Sequence, residues 1–199
     1  MRSSRPPSLL PRPQLTPRQD QLAEQLLTLM LTEGFSHLTI DDIVDRLGCS
    51  KRTLYTIAAS KEQLATRSVT LFFKRATDQV ESHIARTRSP ARRLTRYLEA
   101  VAEALQPASS DFFADVAAFA PAREVYELNT QLATRRVREL IAEGTGSGAF
   151  RKVPPDFVAE VVASTMRRIV SGEVQRATGL TDAEAYRQLA RLVVAAVQR

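Results

Sequence analysis

Arg52, Thr53 and Thr56 stand close together in the run GCSKRTLYTIAASKEQL, residues 48–64, with Lys51, Tyr55 and Lys61 around them. An arginine guanidinium is a planar fork that can pair bidentately with guanine O6 and N7, while threonine offers a hydroxyl to phosphate or a methyl to thymine. Lysine and tyrosine are suited to gripping phosphate oxygens. Stepping about 100° per residue from Ser50 puts Arg52, Thr53 and Thr56 on one outward face. Tyr55 and Ile57 then fall at its flanks, and Leu54 and Ala58 point inward. The chemistry on offer is hydrogen bonding to an acidic, edge-presenting polymer, and double-stranded DNA fits that description.

The neighbouring residues supply the elements needed to hold such a face. Thr16 and Pro17 read as the cap and first residue of a helix with apolar pairs at Leu22/Ala23, Leu26/Leu27 and Met30/Leu31, ending near Gly34. Thr39 caps a second, short helix with a stripe of Ile40, Ile43, Val44 and Leu47, and Asp41 and Asp42 complement its N-terminal dipole. Gly48 stops it, Ser50 caps a third helix, and Ser60 with Gln63 reads as a capping box for a fourth. Helix, short glycine-containing turn and second helix, from Ile40 to Ile57, make a helix-turn-helix. The free N–H groups at the N-termini capped by Thr39 and Ser60 suit phosphates.

From Lys61 onward the pattern stays helical, with helices expected to about Arg86, from Ser89-Pro90 to about Leu105, from Asp111 to Phe119 and from Pro121 to about Glu143. Gly144 to Gly148 reads as a flexible loop. A helix follows Pro154-Pro155 and a last one follows Thr181. No stretch alternates as a strand, so the class is all-α.

Composition narrows the function classes. The chain has 199 residues, 44% of them hydrophobic, and a net charge of +6. Residues 46–61 hold Arg46, Lys51, Arg52 and Lys61 without an acid, and residues 1–19 hold Arg2, Arg5, Arg12 and Arg18 without one. Apolar runs are too short to cross a bilayer and no signal-peptide core is present, so a cytoplasmic protein without a membrane partner is expected. The single Cys49 with the distant His37 and His83 gives no metal site. No nucleophile and base pair is visible in the sequence. Gly144-Thr145-Gly146-Ser147-Gly148 resembles a phosphate-cradling loop, but it has no preceding strand. An enzyme is therefore not expected, and neither is a cofactor.

The run from Gln19 to Leu64, with Gly34-Phe35, Thr39, Ile43, Leu47-Gly48, Ser50, Thr53-Leu54-Tyr55 and Ser60-Lys61-Glu62-Gln63-Leu64, resembles the DNA-binding domain of TetR/AcrR-type transcriptional regulators. Gly148-Ala149-Phe150-Arg151 and Thr178 to Ala185 resemble the C-terminal part of such proteins more loosely. The resemblance implies that Thr39, Ser50, Lys51, Tyr55 and Lys61 hold phosphates and that Arg52, Thr53 and Thr56 reach base edges. The prolines and arginines over 1–15 read as a disordered, basic arm, and the resemblance further implies a helix-turn-helix DNA-binding domain over 16–64 and a helical effector-binding and dimerisation domain over 65–199. One departure is the pair Ile57-Ala58, where these regulators usually carry a polar or aromatic residue and a phenylalanine.

On that frame the expected function is a ligand-responsive repressor released from its operator by a small apolar effector. The alternative is a regulator-like protein that has lost specific DNA binding. Phe72, Tyr97, Phe112, Phe113, Phe119, Tyr126 and Met166 are candidates to line the effector pocket, because such cavities are mostly apolar. The last two helices carry stripes broad enough for both a core and a partner, so Val158, Val162, Ile169, Leu189, Val193 and Val197 are expected at a homodimer interface.

Overall fold

A computed structural model describes residues 16–198. The arm expected over 1–15, including Arg12, lies outside the described residues. Ten helices occur among the described residues: α1 (Pro17–Glu33), α2 (Ile40–Leu47), α3 (Lys51–Leu54), α4 (Lys61–Ile84), α5 (Pro90–Leu105), α6 (Ser110–Ala118), α7 (Ala120–Gly146), α8 (Pro155–Val170), α9 (Glu173–Thr178) and α10 (Asp182–Val197). The fold is all-α, with only an isolated bridge between Phe150 and Gln198.

Local signals set most of the boundaries. The Thr16 hydroxyl accepts from the Gln19 N–H while the Gln19 side chain accepts from the Thr16 N–H, and Thr39 with Asp42 and Thr181 with Glu184 repeat this reciprocal box. At α4 the box is incomplete. Ser60 accepts from the Gln63 N–H at 3.3 Å, but the Gln63 side chain takes the Ala59 N–H at 3.1 Å. Gly48 ends α2 in the left-handed region, φ 59°, where a side chain would be strained.

α1, α2 and α3 close over Leu26, Met30, Leu38, Ile43 and Leu54, all buried. Helix α4 starts in this unit and runs on past residue 64 to pack against α5 and α7. Helix α5 also lies on α10, and α7 lies on α8. Helix α9, six residues between two left-handed glycines, had no counterpart in the sequence reading.

The expected loop over Gly144 to Gly148 is corrected at its start, because α7 continues through Gly146. Gly144 is buried beneath the Phe150 ring, so near that a Cβ there would stand 2.1 Å from Phe150 Cδ2. The Phe150 N–H donates to the Gly144 carbonyl at 3.0 Å and the Arg151 N–H to the Val197 carbonyl at 3.0 Å. Glycine here is a packing choice that lets the chain fold back across α7 and reach the end of α10.

Alanine ordinarily improves a helix by up to ~1 kcal/mol over glycine. Gly144→Ala reverses that sign, lowering unfolding free energy by about 1–3 kcal/mol through overpacking against Phe150. Gly146→Ala, where a Cβ meets nothing within 4 Å, is neutral or slightly stabilising. Urea unfolding of the two variants checks the contrast.

Candidate nucleic-acid interface and effector cavity

Helix α3 presents the reader. Ser50 caps it by accepting from the Thr53 N–H at 3.1 Å, and the two hydroxyls also bond at 2.8 Å. The Thr56 hydroxyl donates to the Thr53 carbonyl at 2.7 Å, which fixes its rotamer. Arg52, Tyr55 and Thr56 are exposed and Thr53 half-buried. Arg52 makes no hydrogen bond or ion pair among the described residues, so its fork stays available. Lys51 pairs with Asp41 at 2.6 Å, which raises the ammonium pKa, although both groups lie in solvent.

The helical part of α3 is shorter than expected, closing at Leu54, and the chain turns through Tyr55 to Ile57. Ile57 is buried, contrary to the flanking position read from a 100° step, and Ala58 is half-buried. The turn rotates Ile57 into the space under the reader, and Arg67 fixes it by donating to the Ile57 carbonyl at 2.8 Å. At the departure Ile57-Ala58, the isoleucine turns inward and both residues border a recess between α1 and α4.

A second set of contacts, not read from the sequence, fastens the reader to the rest of the chain. Asp115 of α6 accepts the Phe35 N–H at 2.5 Å and the Ser36 N–H at 2.8 Å, both in the link between α1 and α2. Gly34, φ 81°, makes room for it, since a Cβ there would lie 2.6 Å from Asp115 Oδ2. Lys61 donates to the Ser36 carbonyl at 2.7 Å, and the Ser109 N–H to the Leu31 carbonyl at 2.8 Å. Lys61, expected on phosphate, therefore also braces the reader's frame. Gly34 carried a sequence signal as a helix stop and as part of the Gly34-Phe35 pair, not as room for a carboxylate; Asp115, one acid in a short helix, carried none.

The cavity lies among α4, α5 and α7, closed by α8 and α10, and has about 240 Å³. Tyr97, Tyr126 and Met166 line it as expected residues, joined by Phe73, Thr77, Glu81, Arg136 and Tyr186. Arg136 is half-buried and donates to Glu81 at 2.9 and 3.2 Å and to Glu139 at 3.2 Å. Burial pushes the Tyr97 and Tyr186 hydroxyls well above the ordinary phenol range and raises that of Tyr126.

Phe72, Phe112 and Phe119 do not line this cavity. Phe35 meets Phe112 (6.2 Å between centroids) and Phe119 (6.1 Å), Phe112 meets Phe72 (5.4 Å), Phe72 meets Phe73 (5.0 Å), and Phe73 meets Tyr126 (5.7 Å). These edge-on and tilted pairs form a continuous rod from the α1–α2 link to the cavity wall. Phe113 packs on Phe112 and faces a separate recess beside Tyr186.

On the far side, Val162, Ile169 and Val197 are fully buried inside the chain, Leu189 and Val193 nearly so, and Val158 half-buried. The apolar side chains that α8 and α10 leave in solvent are Phe157 (67% exposed), Val161 (44%) and Leu192 (68%). Val161/Val162 and Leu192/Val193 thus split, one member to the core and its neighbour to the surface, whereas Ile169 and Val170 are both buried.

Residues 24–67 match the family of bacterial regulatory proteins described as tetR. No curated protein is significantly similar in sequence. Among solved structures, a putative transcriptional regulator from Saccharomonospora viridis in complex with choline is similar at a TM-score of 0.75 and 16% identity, over 92% of this chain and 98% of that one. A TetR family transcriptional regulator from Thermus thermophilus gives 0.67 and 19%, over 90% and 100%. The ketosteroid transcriptional regulator of Mycobacterium tuberculosis gives 0.63 and 21%, over 94% and 97%. At such identities the likeness is one of fold. No described helix is long and apolar enough to cross a membrane.

Asp115 yields a pH prediction. Burial raises its pKa, but the hydrogen bonds from Ser36 and Phe35 outweigh that and hold it below the usual carboxylate range. A depressed carboxyl contributes stability above its unfolded pKa of about 3.9 and loses it as pH falls through the folded value. Asp115→Asn should cost about 1–2 kcal/mol at pH 7, the difference between charged and neutral acceptors. Denaturant midpoints measured down the acid range should show that gap narrowing as the wild-type carboxyl protonates.

Proposed function

We propose that this chain is a TetR/AcrR-type transcriptional regulator, a homodimeric repressor whose recognition helices enter successive major grooves about 34–36 Å apart, a reading supported by the tetR-family match of its N-terminal residues and by its fold. The observation that carries the reading is the unpaired Arg52 fork, exposed on a helix whose caps and inward residues are otherwise all engaged. Arg52, Thr53 and Thr56 reach base edges, while Thr39, Ser50, Lys51, Tyr55 and Lys61 hold phosphates. Lys51 exchanges Asp41 for phosphate on binding. The operator-reading unit spans 16–64, and 65–199 binds the effector and the second subunit. Effector binding selects a dimer with a different reader separation, lowering affinity by its preference for that state.

Buried Ile57 supports retention of DNA binding, since the one residue pair that departs from the family's pattern leaves the reader packed. A titration of DNA from around the protein's own gene tests this. Log K should fall with log salt at ~0.9 per phosphate contact, several units for a dimer. Arg52→Ala should cost about 1–3 kcal/mol on the preferred sequence and relax its choice of base. A flat salt response would remove the DNA reading.

The dimer forms through Phe157, Val161 and Leu192, with the buried stripe residues supporting them from beneath. Leu192→Glu places a charge on this face and touches no core. It should convert a dimer to a monomer in sedimentation while leaving the helical signal unchanged. A Leu192→Glu dimer of wild-type strength would move the interface elsewhere.

A further inference from the structure

Two of the tyrosines that line the cavity carry hydroxyls that find no partner among the described residues, Tyr126 and Tyr186. Tyr186 is 4% exposed, so its hydroxyl is a buried polar group without a hydrogen bond. Most buried hydroxyls in proteins are paired, and leaving one unmade is costly. Thr130 donates its proton to the Tyr126 carbonyl at 2.9 Å and keeps an oxygen near the Tyr126 hydroxyl, so Tyr186 carries the hydroxyl with the greater need of a partner. With their pKa values raised by burial, both phenols stay protonated across the physiological range, and each offers a donor.

Of the charges around the same cavity, Arg136 is matched by Glu81 and Glu139, while Arg135 makes no ion pair among the described residues. Arg135 meets the rim from an exposed position. The remaining wall is apolar, including Phe73, Leu105 and Met166. A charged ligand would enter without a free counter-charge in the interior, which is unfavourable. A hydrocarbon would leave both hydroxyls unmet.

We infer that the cavity takes an uncharged, largely apolar molecule bearing an accepting oxygen, such as a ketone or ester, which Tyr126 and Tyr186 hold through their hydroxyls. This ligand class is the effector class of the regulator proposed above, and its regulatory meaning rests on that reading. Binding itself does not. At about 240 Å³ the cavity is of small-molecule size.

Calorimetric titration of the full chain with four molecules of similar shape tests this: acetophenone, cumene, benzoate and phenyltrimethylammonium. Acetophenone should bind about tenfold or more tighter than cumene, the change expected from two hydrogen bonds. Tyr186→Phe and Tyr126→Phe should each reduce that advantage while leaving cumene's affinity within about twofold. Retained cumene binding shows that the cavity is intact. Equal affinities for acetophenone and cumene, tighter binding of either ion, an unreduced advantage in Tyr186→Phe, or no binding of any probe at millimolar concentration would each overturn the inference. DNA titration on the same preparation separates the two readings. A chain that binds acetophenone but ignores salt on DNA keeps the cavity chemistry and loses the regulator, and the converse loses the cavity chemistry alone.

Discussion

The carboxylate of Asp115 on the Phe35 and Ser36 amides is the contact on which the two parts of the molecule depend. Those amides lie in the link that follows α1, where backbone donors have no helical partner and would otherwise be left to solvent. Asp115 meets them only because Gly34 has no Cβ and takes a positive φ. The acid belongs to α6, and the amides belong to the α1–α2 link that leads into the helix-turn-helix. One ionised group therefore ends α1, sets the direction in which the chain leaves toward α2, and anchors the reader on the helical body. Lys61 closes the same link from the opposite side through the Ser36 carbonyl. The link is thus held between an anion on its donors and a cation on its acceptor.

Packing follows the same line. Phe35, next to the clasped amides, begins the chain of aromatic contacts that passes through Phe112, Phe72 and Phe73 to Tyr126. Close-packed interiors transmit a displacement because there is little void in which to absorb it. Phe73 is the member shared by the rod and the cavity. Helix α4 runs in parallel with it, beginning at Lys61 beside the reader and passing Phe73, Thr77 and Glu81 at the cavity. The reader is tied to the body by the Asp115 clasp, by the ion pair of Arg75 on α4 with Glu24 on α1, and by the apolar column, which ends at the cavity.

Much of this was legible in the sequence because its signals are local. Caps, prolines and glycines placed most helix ends, and the composition of residues 50–61 marked the reader. Ile57 was misplaced because a regular 100° step assumes a helix that continues, whereas α3 stops at Leu54 and a turn rotates the next residues inward. The ligand candidates divided for a similar reason. Periodicity says that Phe72 and Phe112 are apolar and helical, yet cannot say which neighbour each faces. Tyr97, Tyr126 and Met166 look no different in sequence. In α8 and α10 the paired pattern announced two apolar faces without saying which members were outward. Asp115, Gly144 and Tyr186 act through partners at least six residues distant, Asp115 through amides some eighty positions away, and nothing in their own surroundings marks them.

The size of the Asp115 contact bears on how an effector can act. Coupling between sites in regulated proteins is typically worth about 1–3 kcal/mol, and one hydrogen bond to an ionised group is worth about 1.5–3 kcal/mol. Loosening a single amide-to-carboxylate bond is therefore enough to account for a full regulatory response, and no large rearrangement of the core is required. Packing in the rod makes small shifts expensive unless they are shared along its length, whereas the clasp depends on a few tenths of an ångström at one oxygen. Differential ligand affinity needs two states that differ in energy by about this much. The clasp between α6 and the α1–α2 link has that scale. It is the joint at which a ligand-induced displacement of α4 or of the rod would first be felt by the reader.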